Sequence, residues 1–264
     1  VPVTIHDLRA HKERGERFVM VTAYDTAIAR LLAEAAVPVL LVGDSVANNH
    51  LGYPTTLPIT LEEMLHHARA VARGAPDLLL VGDLPFGSYH QSTAQAVATA
   101  SEFLKAGMNA VKLEGGGWVV PVAARLVECG IPVMGHLGLT PQFVNAFGGH
   151  RVQGRTADGR RGILDDARAL EQAGAFSLVL EGVPRDVAAE VTASVSIPTI
   201  GIGAGPDCDA QVLVVYDLLG ITRGHMPKFA KAFAEIGDQV VAATRTFASD
   251  VAAGRFPDDE HSYH

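Results

Sequence analysis

An α/β fold, a single (β/α)8 barrel of the TIM type with an N-terminal capping helix, is predicted from three observations. Eight short runs rich in Val, Ile and Leu recur along the 264 residues. The stretches between them carry apolar residues at helical spacing. The runs themselves are apolar throughout instead of alternating with polar residues, as strands of a parallel sheet covered on both faces are. A chain of this length suits such a barrel as one domain over residues 1–264, and no Pro-, Gly- or Ser-rich linker divides it. A doubly wound open sheet is the competing architecture for the same alternation.

In chain order, residues 4 to 14 are expected to form a helix closing the bottom of the barrel. The strand candidates are residues 18 to 24, 39 to 45, 78 to 85, 110 to 115, 132 to 139, 178 to 182, 198 to 205 and 212 to 218. Between the second and third, TLEE at 60 to 63 is a capping box, because Thr60 and Glu63 can each satisfy a backbone N–H that the first helical turn leaves free. After it Leu61, Met64, Leu65, Ala68, Val71 and Ala72 share one helical face. STAQ at 92 to 95 repeats the capping logic before a helix ending near Gly107. LDDARALEQAGA and VAAEVTASVS supply two more helices, the first stopping at Gly174, where a left-handed cap fits. Residues 140 to 162 read as a long, polar, glycine-rich loop where a short connection would serve; loops of that length are usually functional or disordered. FPDDEHSYH at the end reads as a surface tail or clasp.

The ends of the strand candidates carry the functional signal. In these barrels the active site lies at the C-terminal ends of the strands. Those ends supply Asp44 and Ser45, Asp83, Lys112 and Glu114, His136, and Glu181. One charged group closing an apolar strand can be an ion pair or a cap, but five consecutive strands delivering ionisable groups to one face point to a site. Lys112 and Glu114, two apart on a strand, share the side facing the barrel interior, while Val111 and Leu113 face the helices.

Asp44, Asp83 and Glu114 are hard oxygen ligands, suited to Mg²⁺, with Mn²⁺ as second choice, better than to zinc. Three carboxylates, a dication and Lys112 sum to neutrality before a substrate arrives. A 2-oxo acid is expected to chelate the metal, with Lys112, Ser45, Asp44 and Asp83 around it, and chelation makes the neighbouring C–H acidic. Glu181, near other carboxylates at an apolar strand end, is the expected general base. His136 hydrogen-bonds substrate, orients a partner, or is simply a satisfied core histidine. GIGAG at 201 to 205 binds phosphate through backbone amides, or merely admits a bulky ligand or makes a tight turn. Arg223 and His225 are candidate rim residues, and His66 and His67 read as a solvated helix face.

Several classes are excluded. A net charge of −8 leaves no basic surface for nucleic acid. The longest apolar runs, such as 37 to 42, are too short to span a bilayer, and the opening residues show no apolar signal region, so a cytoplasmic address is expected. Cys129 and Cys208 have no spacing that suggests a metal or disulfide framework and are expected to be small buried side chains.

The residues also resemble a known family. TAYD at 22 to 25, LVGDS at 41 to 45, DLPF at 83 to 86, VKLEGG at 111 to 116, GHLGLTPQ at 135 to 142, VQGR at 152 to 155, VLEGVP at 179 to 184, GIGAG, PKF at 227 to 229 and the EHSYH ending are similar, in order and over nearly the whole chain, to the 3-methyl-2-oxobutanoate (ketopantoate) hydroxymethyltransferase family. The resemblance implies a homodecameric (β/α)8 enzyme of pantothenate biosynthesis. Such an enzyme moves a hydroxymethyl unit from 5,10-methylenetetrahydrofolate to 3-methyl-2-oxobutanoate, giving 2-dehydropantoate. It implies Mg²⁺ at Asp44, Asp83 and Glu114, the oxo acid at Ser45 and Lys112, and proton acceptance by Glu181. SVAN at 45 to 48, Gly182 and Arg223 depart from the usual family residues. The alternatives are a Mg²⁺-dependent lyase of the phosphoenolpyruvate mutase/isocitrate lyase type acting on a 2-oxo acid, and a catalytically silent binding barrel, which would need no base at 181.

Overall fold

Eight parallel strands close on themselves in chain order, each hydrogen-bonded to the next and the eighth to the first. The computed structural model describes residues 2–224 and 226–263; the expectation for His225 lies outside them. The chain forms two compact units, Val1–Val214 and Val215–His264, and the first holds the whole barrel.

In that unit the chain runs α1 (Ile5–Arg14), β1 (Phe18–Thr22), α2 (Thr26–Glu34), β2 (Val39–Val42), the short α3 (Val46–Asn49), α4 (Leu61–Gly74), β3 (Leu79–Asp83) and α5 (Thr93–Lys105). It continues through β4 (Ala110–Glu114), α6 (Val120–Glu128), β5 (Val133–Gly138), the short α7 (Val144–Phe147), α8 (Ala157–Gln172), β6 (Ser177–Glu181), α9 (Arg185–Ser194), β7 (Thr199–Ile202) and β8 (Ala210–Leu213). The expected capping box starts α4: Thr60 N–H donates to Glu63 Oε2 at 2.8 Å and Glu63 N–H to Thr60 Oγ1 at 3.2 Å. Ser92 caps α5 in the expected place, accepting from Gln95 N–H at 3.1 Å.

The lower part of the barrel interior is an apolar plug. Met20, Val39, Leu79, Val81, Ala110, Met134, Val179, Ile200 and Val212 meet there, and Leu8 of α1 closes it from below. Lys12 of the same helix ties the closure to the strands, its Nζ donating to Asp209 Oδ2 and the Ile197 carbonyl, each at 3.0 Å. Residues 4 to 14 therefore do cap the barrel's bottom, with Thr4 as N-cap.

The sequence expectation fails at four places. The last strand is Ala210–Leu213, and the apolar residues after it turn into a helix at Val215–Leu218. A short apolar run suits either state, and the register decides: Phe18 pairs with Ala210 and Val21 with Leu213. Next, α8 begins at Ala157, inside the expected long loop, because Thr156 accepts from Gly159 N–H at 3.1 Å and so caps a segment whose glycines disguise its helicity. His67 is buried rather than solvated, its Nδ1 lying 2.7 Å from the Tyr24 carbonyl, while His66 is exposed as expected. Finally, Cys129 is exposed, at the C-terminal end of α6, and Cys208 alone is buried.

The second unit consists of α10 (Val215–Leu218), α11 (Ile236–Ala252) and the segments around them. Backbone bonds from Phe233 N–H to the Leu218 carbonyl (2.9 Å) and from Ile236 N–H to the Leu219 carbonyl (3.0 Å) hold it together, as does an Arg223–Asp238 ion pair at 2.8 Å. α11 leaves Val240, Val241, Phe247 and Val251 exposed. Among the described residues, no helix is long and apolar enough to cross a membrane.

Candidate active site

Strand geometry delivers the charged side chains to one place. On β3, Gly82 faces outward, where a Cβ would stand 2.3 Å from the Phe103 ring of α5. The glycine lets that helix pack close, and the next residue, Asp83, points in. On β4 the alternation sends Lys112 and Glu114 inward above Ala110. β5 adds His136, and β6 ends on Glu181. The left-handed Gly138 (φ +94°) brings the end of β5 against β6, since a Cβ there would stand 2.3 Å from the Glu181 carbonyl oxygen. That oxygen accepts from Leu139 N–H at 2.7 Å, which fixes the backbone from which the Glu181 side chain projects.

The side chains form one network. Lys112 Nζ lies 2.9 Å from Asp83 Oδ1, 3.4 Å from Glu114 Oε1 and 3.1 Å from His136 Nδ1. His136 links the two glutamates, its Nδ1 3.2 Å from Glu114 Oε1 and its Nε2 3.3 Å from Glu181 Oε2. Asp44 N–H donates to Asp83 Oδ2 at 3.1 Å. Ser45 Oγ lies 2.9 Å from the Tyr24 hydroxyl. Asp83 and Glu114 are each 1 % exposed and Lys112 3 %, so the network is almost dry. The side chain of Glu181, 17 % exposed, stands at its open edge.

Burial sets the electrostatics. Burial, then Asp83 and Glu114, push the Asp44 carboxyl well above the usual carboxylate range. Burial also raises Asp83, against the pull of Lys112. Glu114 resists its own burial because Lys112 and His136 face it, and it is lowered to about 2. Lys112 likewise overcomes burial through Asp83, Glu114 and Asp44 and is held firmly protonated. His136 is opposed by burial and by Lys112, yet Glu114 and Glu181 raise it to about 9, so it carries charge at neutral pH.

Asp44, Asp83 and Glu114 each offer an oxygen, all within 4.8 Å of one another, and all three residues are buried. With Glu181, four carboxylates face two cationic groups, leaving two formal negative charges, the complement of one dication. The donor set therefore fits a hard divalent ion.

Gln142 and Tyr89 also belong to this site, and the sequence reading assigned neither. Gln142 Nε2 donates to Asp44 Oδ2 (3.0 Å) and to the Leu84 carbonyl (2.9 Å), and its backbone N–H donates to Glu114 Oε2 (3.1 Å). It thus holds two of the three potential ligands. The Tyr89 hydroxyl donates to Gln142 Oε1 (2.8 Å) and accepts from Glu114 N–H (3.2 Å). Gln142 sat inside the stretch read as a loop; its signals were its place three residues after an apolar strand end and at the end of the GHLGLTPQ motif. Two other candidates have partners of their own. Gly205 of the GIGAG run packs so close that a Cβ would stand 2.7 Å from Arg185 Cγ, which accounts for that glycine by packing. Arg223 is engaged with Asp238.

Comparison with known proteins follows the same line. The family model described as ketopantoate hydroxymethyltransferase matches residues 2–259. A protein of Acidothermus cellulolyticus named 3-methyl-2-oxobutanoate hydroxymethyltransferase is 56% identical over 262 residues, covering 99% of this chain and 96% of the relative. One of Frankia alni with the same name is 54% identical over 261 residues, covering 98% and 86%. Among solved structures, 2,3-dimethylmalate lyase, a member of the PEP mutase/isocitrate lyase superfamily, has a TM-score of 0.63 at 18% identity, covering 99% of this chain and 92% of that one. It shares the fold.

Proposed function

The chain belongs to the ketopantoate hydroxymethyltransferase family, and from that premise we propose that it transfers a hydroxymethyl unit from 5,10-methylenetetrahydrofolate to 3-methyl-2-oxobutanoate, giving 2-dehydropantoate. The observation that carries the proposal is the dry Asp44–Asp83–Glu114–Lys112–His136 network with the Glu181 carboxylate at its open edge.

Asp44, Asp83 and Glu114 would hold Mg²⁺, which when bound supplies Lewis-acid polarisation of a keto group. Lys112 and the Ser45 hydroxyl take the oxo acid, and the Lys112 ammonium balances the negative charge that develops on its keto oxygen. Glu181 accepts the proton from C3. His136, between Glu114 and Glu181, holds the base in place. Carbon 3 then forms a bond to the methylene carbon of the donor, the two carbon–nitrogen bonds of that carbon break, water supplies the hydroxyl, and the proton taken by Glu181 and the one left by water pass to the two nitrogens, releasing tetrahydrofolate. Gln142 keeps the carboxylates of Asp44 and Glu114 apart and aimed. The exposed apolar residues of α11 support assembly into a homo-oligomer, which we take to be a decamer working in the cytoplasm.

The test is incubation of the protein with Mg²⁺, 3-methyl-2-oxobutanoate and 5,10-methylenetetrahydrofolate, with mass-spectrometric detection of 2-dehydropantoate. Folate-dependent product is expected. Cleavage of a 2-oxo acid without folate would replace this reading by the lyase one.

A further inference from the structure

The loops that follow β3, β4 and β5, the strands bearing Asp83, Lys112 with Glu114, and His136, share a second feature. They carry a row of aromatic rings leading away from the charged network. Tyr89, whose hydroxyl touches Gln142 and the Glu114 backbone, is fully buried. Trp118 lies flat on it, centroids 5.9 Å apart and planes 11° from parallel. Phe143 follows at 6.4 Å and Phe147 at a further 6.4 Å. Past Phe147, the Arg151 guanidinium stands 3.8 Å from where a Cβ on Gly148 would be. That arginine is exposed, and no ion pair is formed by it among the described residues.

Two details speak against simple packing. Trp118 is 42 % exposed although a buried ring supports it from behind, the arrangement of a rigid stacking platform. His90, 5.1 Å from Trp118, accepts from Gly87 N–H through Nδ1 at 3.2 Å, which leaves the proton on Nε2. That Nε2 is buried without a partner among the described residues, and such a donor calls for an acceptor on something absent.

We propose that this row is the seat of the one-carbon donor, whose aminobenzoyl ring stacks along Trp118 and Phe143 while a glutamyl carboxylate pairs with Arg151. The inference rests on the folate reading above. The order of features along the row, reactive network, flat rings, then a cation, is the order of groups along one arm of the donor, from its methylene carbon through the aminobenzoyl ring to the glutamyl carboxylates. His90 Nε2–H meets an acceptor on the donor, and the half-buried Phe147 guides the glutamyl arm toward Arg151.

The experiment is calorimetric titration of tetrahydrofolate into protein loaded with Mg²⁺ and 3-methyl-2-oxobutanoate, with thermal melts as a check of folding. Trp118 is the sole tryptophan, so its fluorescence must quench as the wild type fills. Trp118→Ala is expected to weaken binding by roughly tenfold or more, the effect of losing one stacked ring, and Trp118→Phe to recover most of it. Arg151→Ala should weaken tetrahydrofolate but leave tetrahydropteroate, which lacks the glutamyl group, unchanged. Tight binding to the wild type that neither quenches Trp118 nor weakens in these variants would place the donor elsewhere and overturn this inference alone. No binding of tetrahydrofolate to the wild type would overturn the folate reading and this inference with it.

Discussion

The barrel interior has two storeys built on the same strands. Below, Met20, Val39, Leu79, Val81 and Met134 close an apolar plug over Leu8; above, Asp83, Lys112, Glu114 and His136 are as deeply buried but ionic. β3 and β4 pass through both, Val81 and Ala110 ending in the plug and Asp83 and Glu114 in the network. Burying apolar surface stabilises the fold, whereas burying charge costs unless every group is matched. The lower storey accordingly keeps the protein folded, and the upper one holds charges that only function justifies. An uncompensated pair of negative charges is what the upper storey offers to a dication.

Mutations should separate the storeys. The largest effect is expected from Glu181→Gln, which should lower turnover by about 10²–10⁴-fold while calorimetry still finds the oxo acid and metal bound; loss of binding as well would make Glu181 a ligand instead of a base. Lys112→Ala leaves Asp83 without its cation and Glu114 with His136 alone, and should cost about 3–5 kcal/mol in chelator, measured by urea unfolding, with part regained on adding Mg²⁺. A cost independent of Mg²⁺ would argue against a metal between those carboxylates. In the lower storey, Leu79→Ala should cost about 2–5 kcal/mol, with kcat retained below the melting temperature. A matching fall in kcat would mean the storeys are coupled.

A smaller effect concerns His67, outside both. Burial holds its pKa below the ordinary 6.5, against the hydrogen bond to the Tyr24 carbonyl, with His50 and His66 adding repulsion and Asp25 opposing. The unfolded chain therefore binds the proton more readily. Stability contributed by neutral His67 is present above pH 6.5 and lost as pH falls toward its lowered folded value. His67→Gln should flatten the melting temperature against pH in that window, and an unchanged slope would assign it to other groups.

The sequence exposes the two storeys unequally. Apolar runs and their charged ends were readable because both follow from strand alternation and from the position of barrel active sites, so Asp44, Asp83, Lys112, Glu114, His136 and Glu181 emerged together. Gln142 and Tyr89 did not, because each earns its place through contacts between loops: Gln142 reaches Asp44 across 98 positions of chain and Tyr89 reaches Gln142 across 53, separations that no local pattern records. The eighth strand failed for a different reason. Its run of apolar residues suits helix and strand alike, and only pairing with β1 selects which part becomes sheet. His67 shows the same limit, since its neighbour His66 on α4 is exposed and only the packing of the helix tells them apart.

The most direct test of the upper storey's role is proton NMR of 3-methyl-2-oxobutanoate in D₂O, with and without Mg²⁺ and without folate, for the wild type and Glu181→Gln. The account predicts loss of the C3 proton signal with the wild type only when Mg²⁺ is present, and no loss with the variant. Exchange that persists in Glu181→Gln, or that proceeds equally in chelator, would contradict it.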